Sequence, residues 1–133
     1  MIKQSKEKNL IIAPVGDNSY HKTWLKGGKR NFDIMLIYFG AKENRYIEDA
    51  DYYLCIKDRF KFENIKAAAD KNIHIIKTYG SIWLPDDDMI TNPESINKLF
   101  EIFYSYNLDL AQPALKGKVD HPITREEPSC ILR

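Results

Sequence analysis

Three consecutive carboxylates, Asp86-Asp87-Asp88, follow directly on the apolar run Ile82-Trp83-Leu84 and on Pro85. Three like charges at a strand end repel one another, and a fold tolerates them most easily when a cation neutralises them or water solvates them. Side chains alternate along an extended chain, so Asp86 and Asp88 are expected on one side with Asp87 pointing away. Two same-side carboxylates make a hard-oxygen site suited to Mg²⁺ or Mn²⁺, ions that keep open positions for water and phosphate oxygens. A solvated turn, or favourable negative charge ahead of the next helix, would account for the same residues.

Other side chains could add to such a site. Lys57, Arg59 and Lys61 form a short basic connection able to neutralise phosphate, or an ordinary charged surface. His121 could complete a metal shell, although it precedes a proline in an irregular segment. His21 stands near the start of a short helix, where a surface or capping role competes with a ligand role.

The elements that must position these groups can be read from hydrophobic patterning. Asn9 to Val15 is an apolar run that ends in Gly16-Asp17-Asn18, as a buried strand entering a loop would. Ser19 can cap a short helix to Lys26 that offers Tyr20, Trp24 and Leu25 to the core, with Gly27-Gly28 as its stop. Phe32 to Phe39 shows little polar alternation, as a strand covered on both faces does. Asp51 to Ile56 reads as a third strand. Phe62, Ile65 and Ala69 recur at helical spacing, and Ile73, Ile76 and Tyr79 continue the stripe past a break at Asn72 to Gly80. Ser81 to Leu84 is a short strand stopped by Pro85. Thr91 or Asn92 caps a helix that begins at Pro93, in which Ile96, Leu99, Phe100 and Phe103 form an amphipathic stripe. Leu108 to Leu115 reads as one more strand.

Alternating strands and helices of these lengths predict an α/β fold, with a mainly parallel sheet flanked by helices. Ligands of such sheets sit at the carboxyl ends of the strands. Both Gly16-Asp17-Asn18 and Asp86-Asp87-Asp88 fall there.

Twenty basic residues against nineteen acidic ones leave a formal charge of +1, which gives no field for gripping nucleic acid or an anionic membrane. The two cysteines, Cys55 and Cys130, lack the density of a disulfide framework and the neighbours of a zinc site. No apolar run is long enough for a membrane span or a signal segment, so the sequence reads as a cytoplasmic protein.

Several strings together carry a resemblance. Ile82-Trp83-Leu84-Pro85-Asp86-Asp87-Asp88, the helix holding Ile96-Asn97-Lys98-Leu99-Phe100, then Gln112-Pro113-Ala114 and His121-Pro122-Ile123-Thr124 resemble an uncharacterised glycosyltransferase-like family, the domain of unknown function numbered seven hundred and seven. Val15-Gly16-Asp17-Asn18-Ser19 with His21 and Trp24, and Arg30-Asn31-Phe32-Asp33, are similar to it too. The resemblance implies a GT-A, Rossmann-like fold whose DxD motif holds Mn²⁺ or Mg²⁺ on the diphosphate of a nucleotide sugar. That motif maps onto Asp86 and Asp88, with Asp87 between them. Val15, Gly16 and Asp17 would then lie against the base and ribose, with Asp17 as a hydrogen-bond acceptor.

Family members continue past the His121-Pro122-Ile123-Thr124 segment into an acceptor-binding half. Residues 1–133 are accordingly expected to form one nucleotide-sugar-binding domain, truncated after the donor half, with neither a catalytic base nor a defined acceptor. An uncovered sheet edge would favour a homo-oligomer. Three functions are compatible with these residues: a glycosyltransferase, a donor-fold binding module without turnover, and a metal-dependent phosphohydrolase. The last would need Asp17 as its nucleophile.

Overall fold

A computed structural model describes residues 8–57 and 60–116. Among them a four-stranded sheet is formed by β1 (Lys8–Val15), β2 (Phe32–Tyr38), β3 (Tyr52–Cys55) and β4 (Tyr79–Trp83), in the order β3-β2-β1-β4. Every neighbouring pair is parallel. Helix α1 (His21–Leu25) joins β1 to β2, a 3₁₀ turn (Ile47–Asp49) precedes β3, and α2 (Lys61–Ile76) crosses from β3 to β4. Helix α3 (Pro93–Ser105) follows. The fold is therefore α/β.

The chain divides into two compact units, Met1–Asn97 and Lys98–Arg133. The first holds the sheet. The two central strands are buried on both faces, as their unbroken apolar runs require. On one face Leu10, Ile12, Met35 and Ile37 pack with Ala68, Ile76 and Tyr79, which places α2 over β1 and β2. The other face of these strands presents Ile11, Ala13, Ile34 and Leu36, all without solvent exposure.

Helix α2 buries Asn64, Ala68 and Ile76, while Phe62 and Ile73 of the expected stripe are exposed. Asn72 has non-helical φ/ψ of −124° and 23°, so the expected break is present. The helix ends at Ile76, earlier than the hydrophobic period suggested, because Tyr79 already belongs to β4.

Within β4, Lys8 pairs with Tyr79 and Asn9 with Ser81, which makes Gly80 the extra residue of a bulge. One inserted residue moves the following side chains to the opposite face. Tyr79 consequently joins the α2 side, where its hydroxyl donates to Asp33 Oδ2 at 2.5 Å. Ser81 lies on the other side, where its hydroxyl donates to Asn9 Oδ1 at 2.9 Å. Gly80 marks a bulge and not a helix stop.

Asn92 Oδ1 accepts the Ser95 amide at 2.8 Å, the capping bond expected of Asn92. Asn97 accepts from the Asn31 amide and donates to the Lys29 carbonyl, tying α3 to the chain ahead of β2.

The second unit is described to Lys116. Leu108 N–H bonds to Phe103 O and Asn107 N–H to Tyr104 O, with Asn107 at φ 50°, so α3 ends in a left-handed Schellman cap. Leu108 to Leu115 is not the strand its composition suggested. Its first residue is used by that cap, and the chain then bends at Asp109 and Leu110. No helix among the described residues is long and apolar enough to cross a membrane.

Candidate functional site

Strand order decides where a cleft can open. β1 and β4 are adjacent parallel strands although distant in sequence, and the loops that follow them lie at the carboxyl ends where an open α/β sheet places its ligands. Gly16-Asp17-Asn18 and Asp86-Asp87-Asp88 are those two loops.

The loops are tied together. Asp87 Oδ2 accepts the Gly16 amide at 2.8 Å, and the Asp87 carbonyl accepts the Tyr20 amide at 2.7 Å. Trp24, fully buried, donates its indole N–H to the Met89 carbonyl at 2.8 Å and stands 6.1 Å from the Trp83 ring. Thr91 N–H reaches Thr23 Oγ1 at 3.4 Å. The acidic loop is thus hung on the segment from Gly16 to Trp24. A Cβ on Gly16 would lie 2.9 Å from the tip of the Phe39 ring, so a larger residue there would have to push that ring aside.

Extended alternation does not continue past Trp83. Residues 87 and 88 form a turn, with the Met89 amide 3.4 Å from the Asp86 carbonyl. Asp87 points to Gly16, and Asp86 and Asp88 are both exposed.

A cleft of about 270 Å³ opens here, walled by Pro14, Phe39, Phe60, Asn64, Pro85 and Asp87 and carrying Lys61 and Asp86. Lys61 Nζ lies 2.5 Å from Asp86 Oδ1 and also donates to the Leu84 carbonyl at 3.2 Å. Lys61 is the first residue of α2, so the positive end of that helix borders the same cleft. Phe39 and Phe60 are 43% and 83% exposed, which leaves aromatic surface at the cleft for a flat ligand group to cover.

Two further clusters brace the rim. Asp17 accepts from the Tyr38 hydroxyl at 2.5 Å, the Ala41 amide at 3.0 Å and Arg45 Nη1 at 2.9 Å. These bonds, led by that of the Ala41 amide, hold its carboxyl down to about 2. Its carbonyl accepts from the Tyr46 hydroxyl as well. Asp17 therefore fastens the chain from Gly40 to Tyr46, with both carboxylate oxygens engaged in doing so. A phosphohydrolase would need this carboxylate free to attack.

His21 is fully buried, with Nε2 2.9 Å from Asp49 Oδ2 and Nδ1 2.7 Å from Ser19 Oγ. A carboxylate only accepts, so Nε2 carries the hydrogen and Nδ1 accepts from the Ser19 hydroxyl. Burial lowers the His21 pKa, against the opposing pull of Asp49. Although burial works against ionisation of Asp49, the hydrogen bonds from His21 and Lys22 keep its carboxyl below the ordinary value. Both imidazole nitrogens are committed, which makes His21 a brace between α1 and the 3₁₀ turn and neither a surface group nor a metal ligand.

Of the residues singled out from sequence, Gly16, Asp86, Asp87 and Lys61 meet around the cleft. Val15 is buried at the end of β1, where its carbonyl accepts the Phe39 amide. Asp88 is exposed in the turn beside the cleft, and Lys57 is exposed beyond β3. Arg59 and His121 lie outside the described residues. Phe39, Phe60, Asn64, Arg45 and Asp49 were not anticipated, because each stands in a segment whose local sequence carries no motif. The chain matches no protein-family model, no curated protein and no solved structure.

Proposed function

We propose that the cleft binds a nucleoside-diphosphate sugar together with Mg²⁺ or Mn²⁺, as the donor side of a glycosyltransferase of GT-A type. The observation that carries this reading is the meeting of Asp86 and Lys61 at the cleft beside the β1 and β4 loops. A carboxylate and an ammonium there offer one partner to a metal and one to phosphate.

The residues fit a metal of a particular kind. Among the described residues no three His, Cys, Asp or Glu side chains gather as a metal cage. Mg²⁺ and its analogues are commonly held by one or two carboxylates plus substrate phosphates and water, and need no such cage. Asp86 already holds a cationic group, and Asp88 adds a second exposed carboxylate in the same turn. These two would hold the ion, which would supply Lewis-acid assistance to a departing diphosphate. Lys61 and the first turn of α2 would face the phosphates, and Phe39 and Phe60 would cover the base or the sugar. A donor-fold module that binds without turnover has the same requirements at this cleft.

Among the described residues β4 ends the sheet and carries Ile82 at 43% exposure, a surface that a second copy of the chain would cover. Light scattering on the size-fractionated chain tests for that homo-oligomer.

Calorimetric titration of uridine, guanosine and adenosine diphosphate sugars, with and without Mn²⁺, tests the donor reading. Heat of binding that requires both metal and nucleotide is expected. The absence of binding to any of them in the presence of Mn²⁺ overturns the reading, and release of nucleoside diphosphate separates an enzyme from a module.

A further inference from the structure

The three acids differ in what they hold. Asp87 Oδ2 lies on the Gly16 amide at 2.8 Å, and the Asp87 carbonyl lies on the Tyr20 amide at 2.7 Å. The middle residue thus grips the β1 loop through both side chain and backbone, while Asp86 and Asp88 remain exposed on either side of it. Gly16 is itself a buried residue, with the Phe39 ring packed close to its Cα. A buried amide left without an acceptor is costly, which makes this bond the condition for the loop's course.

We infer that Asp87 is a positioning residue, one that touches neither metal nor phosphate but clamps the acidic turn to Gly16 so that Asp86 stands opposite Lys61. This rests on the donor reading of the cleft. Position 87 requires hydrogen-bond acceptance, whereas positions 86 and 88 require charge. Asn retains an acceptor oxygen for the Gly16 amide and lacks the charge, whereas Ala lacks both.

The test compares the parent chain with Asp87→Ala and Asp87→Asn by calorimetry, using Mn²⁺ with uridine, guanosine and adenosine diphosphate. Amide hydrogen exchange of the unliganded proteins supplies a readout independent of binding. Asp87→Ala is expected to weaken metal-dependent nucleotide affinity by about tenfold or more and to expose the Gly16 amide to exchange. Asp87→Asn is expected to keep both affinity and protection. Loss of affinity in Asp87→Asn with the Gly16 amide still protected would show that the charge itself serves the ligand, and would overturn the inference. Parent-like affinity in Asp87→Ala would overturn it too, by showing that the clamp does not position the site. Failure of the donor reading appears in the parent chain, which would then bind no nucleotide, whereas failure of the clamp appears only in the variants.

Discussion

Lys61 Nζ and Asp86 Oδ1 stand 2.5 Å apart, an ion pair between the first residue of α2 and the first acid after β4. Asp86 is 64% exposed, so the pair adds about 0–1 kcal/mol to stability. For the proposed donor its consequence would be larger, since one carboxylate cannot serve the ammonium and a metal equally. A diphosphate that draws Lys61 away leaves Asp86 open to the ion, so metal and diphosphate should each strengthen the other's binding. Lys61→Met is expected to leave the thermal midpoint nearly unchanged and to bind bare Mn²⁺ at least as well as the parent. It should lose about tenfold in affinity for the Mn²⁺ complex of a nucleoside diphosphate, the loss of one charge-assisted contact. Titrations of Mn²⁺ alone and of the complex check both halves, and parallel losses in the two would count against the exchange.

Asp86→Ala with Asp88→Ala removes two exposed charges from the same turn. Loss of the small Lys61–Asp86 contribution and relief of the acid–acid repulsion oppose each other, so stability should stay near the parent value, while metal-dependent nucleotide binding is expected to disappear. Paired urea unfolding and calorimetry check this, and retained Mn²⁺-dependent binding would exclude these carboxylates as the metal's ligands.

Much of this arrangement was readable in the chain because it depends on continuous apolar runs. Asn9 to Val15 and Phe32 to Phe39 had to be central parallel strands, and the order of the strands then brought Gly16 and Asp86 to one rim. Asn72 as a break and Asn92 as a cap were likewise local matters of backbone hydrogen bonding. The errors arose where a local signal had two uses. Tyr79 fits a helical period and also a strand, and the Gly80 bulge that decides its face depends on pairing with Lys8, far away in sequence. His21 looked like a surface residue because its partner Asp49 lies 28 positions later. The structural bonds of Asp17 were equally hidden, because Tyr38, Ala41 and Arg45 reach it only after β2 has paired with β1. The walls of the cleft were hidden for a similar reason, since Phe39 and Phe60 meet around it only through the β3-β2-β1-β4 order.

Trp24→Phe retains an aromatic ring in the core while removing the indole N–H from the Met89 carbonyl. An acceptor left unmet at a buried contact costs about 1–3 kcal/mol, in addition to the smaller volume of the ring. The urea midpoint should fall accordingly. Because the bond anchors the end of the acidic loop, hydrogen exchange at residues 86–91 should accelerate more than exchange in β2.

Asp17 makes a distinct contribution to acid stability. Its carboxyl is held at about 2 in the folded chain, below the ordinary 3.8. A depressed carboxyl stabilises the fold above its unfolded value, and that contribution is lost as pH falls from about 4 toward 2. Asp17→Asn is expected to be less stable than the parent at neutral pH, because Arg45 loses its ion pair. It should also be flatter across this acid window. Urea midpoints at several pH values across that window compare the slopes, and equal slopes would show that Asp17 does not titrate differently on unfolding.

His21 acts in a higher window. Burial keeps it neutral below its ordinary 6.5, so the unfolded chain takes up a proton there before the folded one does. Stability is therefore present above about 6.5 and declines as pH is lowered through the range between the unfolded and folded values. Protonation would also put a hydrogen on Nδ1, which now accepts from Ser19, and would force that hydroxyl to turn. His21→Gln removes the titration but leaves Asp49 and Ser19 poorly partnered, so it should be about 1–3 kcal/mol less stable at a pH of about 7.5. Between about pH 7.5 and 5 its unfolding midpoint should change less than the parent's. The exposed His74 is common to both proteins, so the difference between the two slopes isolates the buried imidazole. An identical decline in parent and variant would show that the Ser19–His21–Asp49 brace carries no proton linkage.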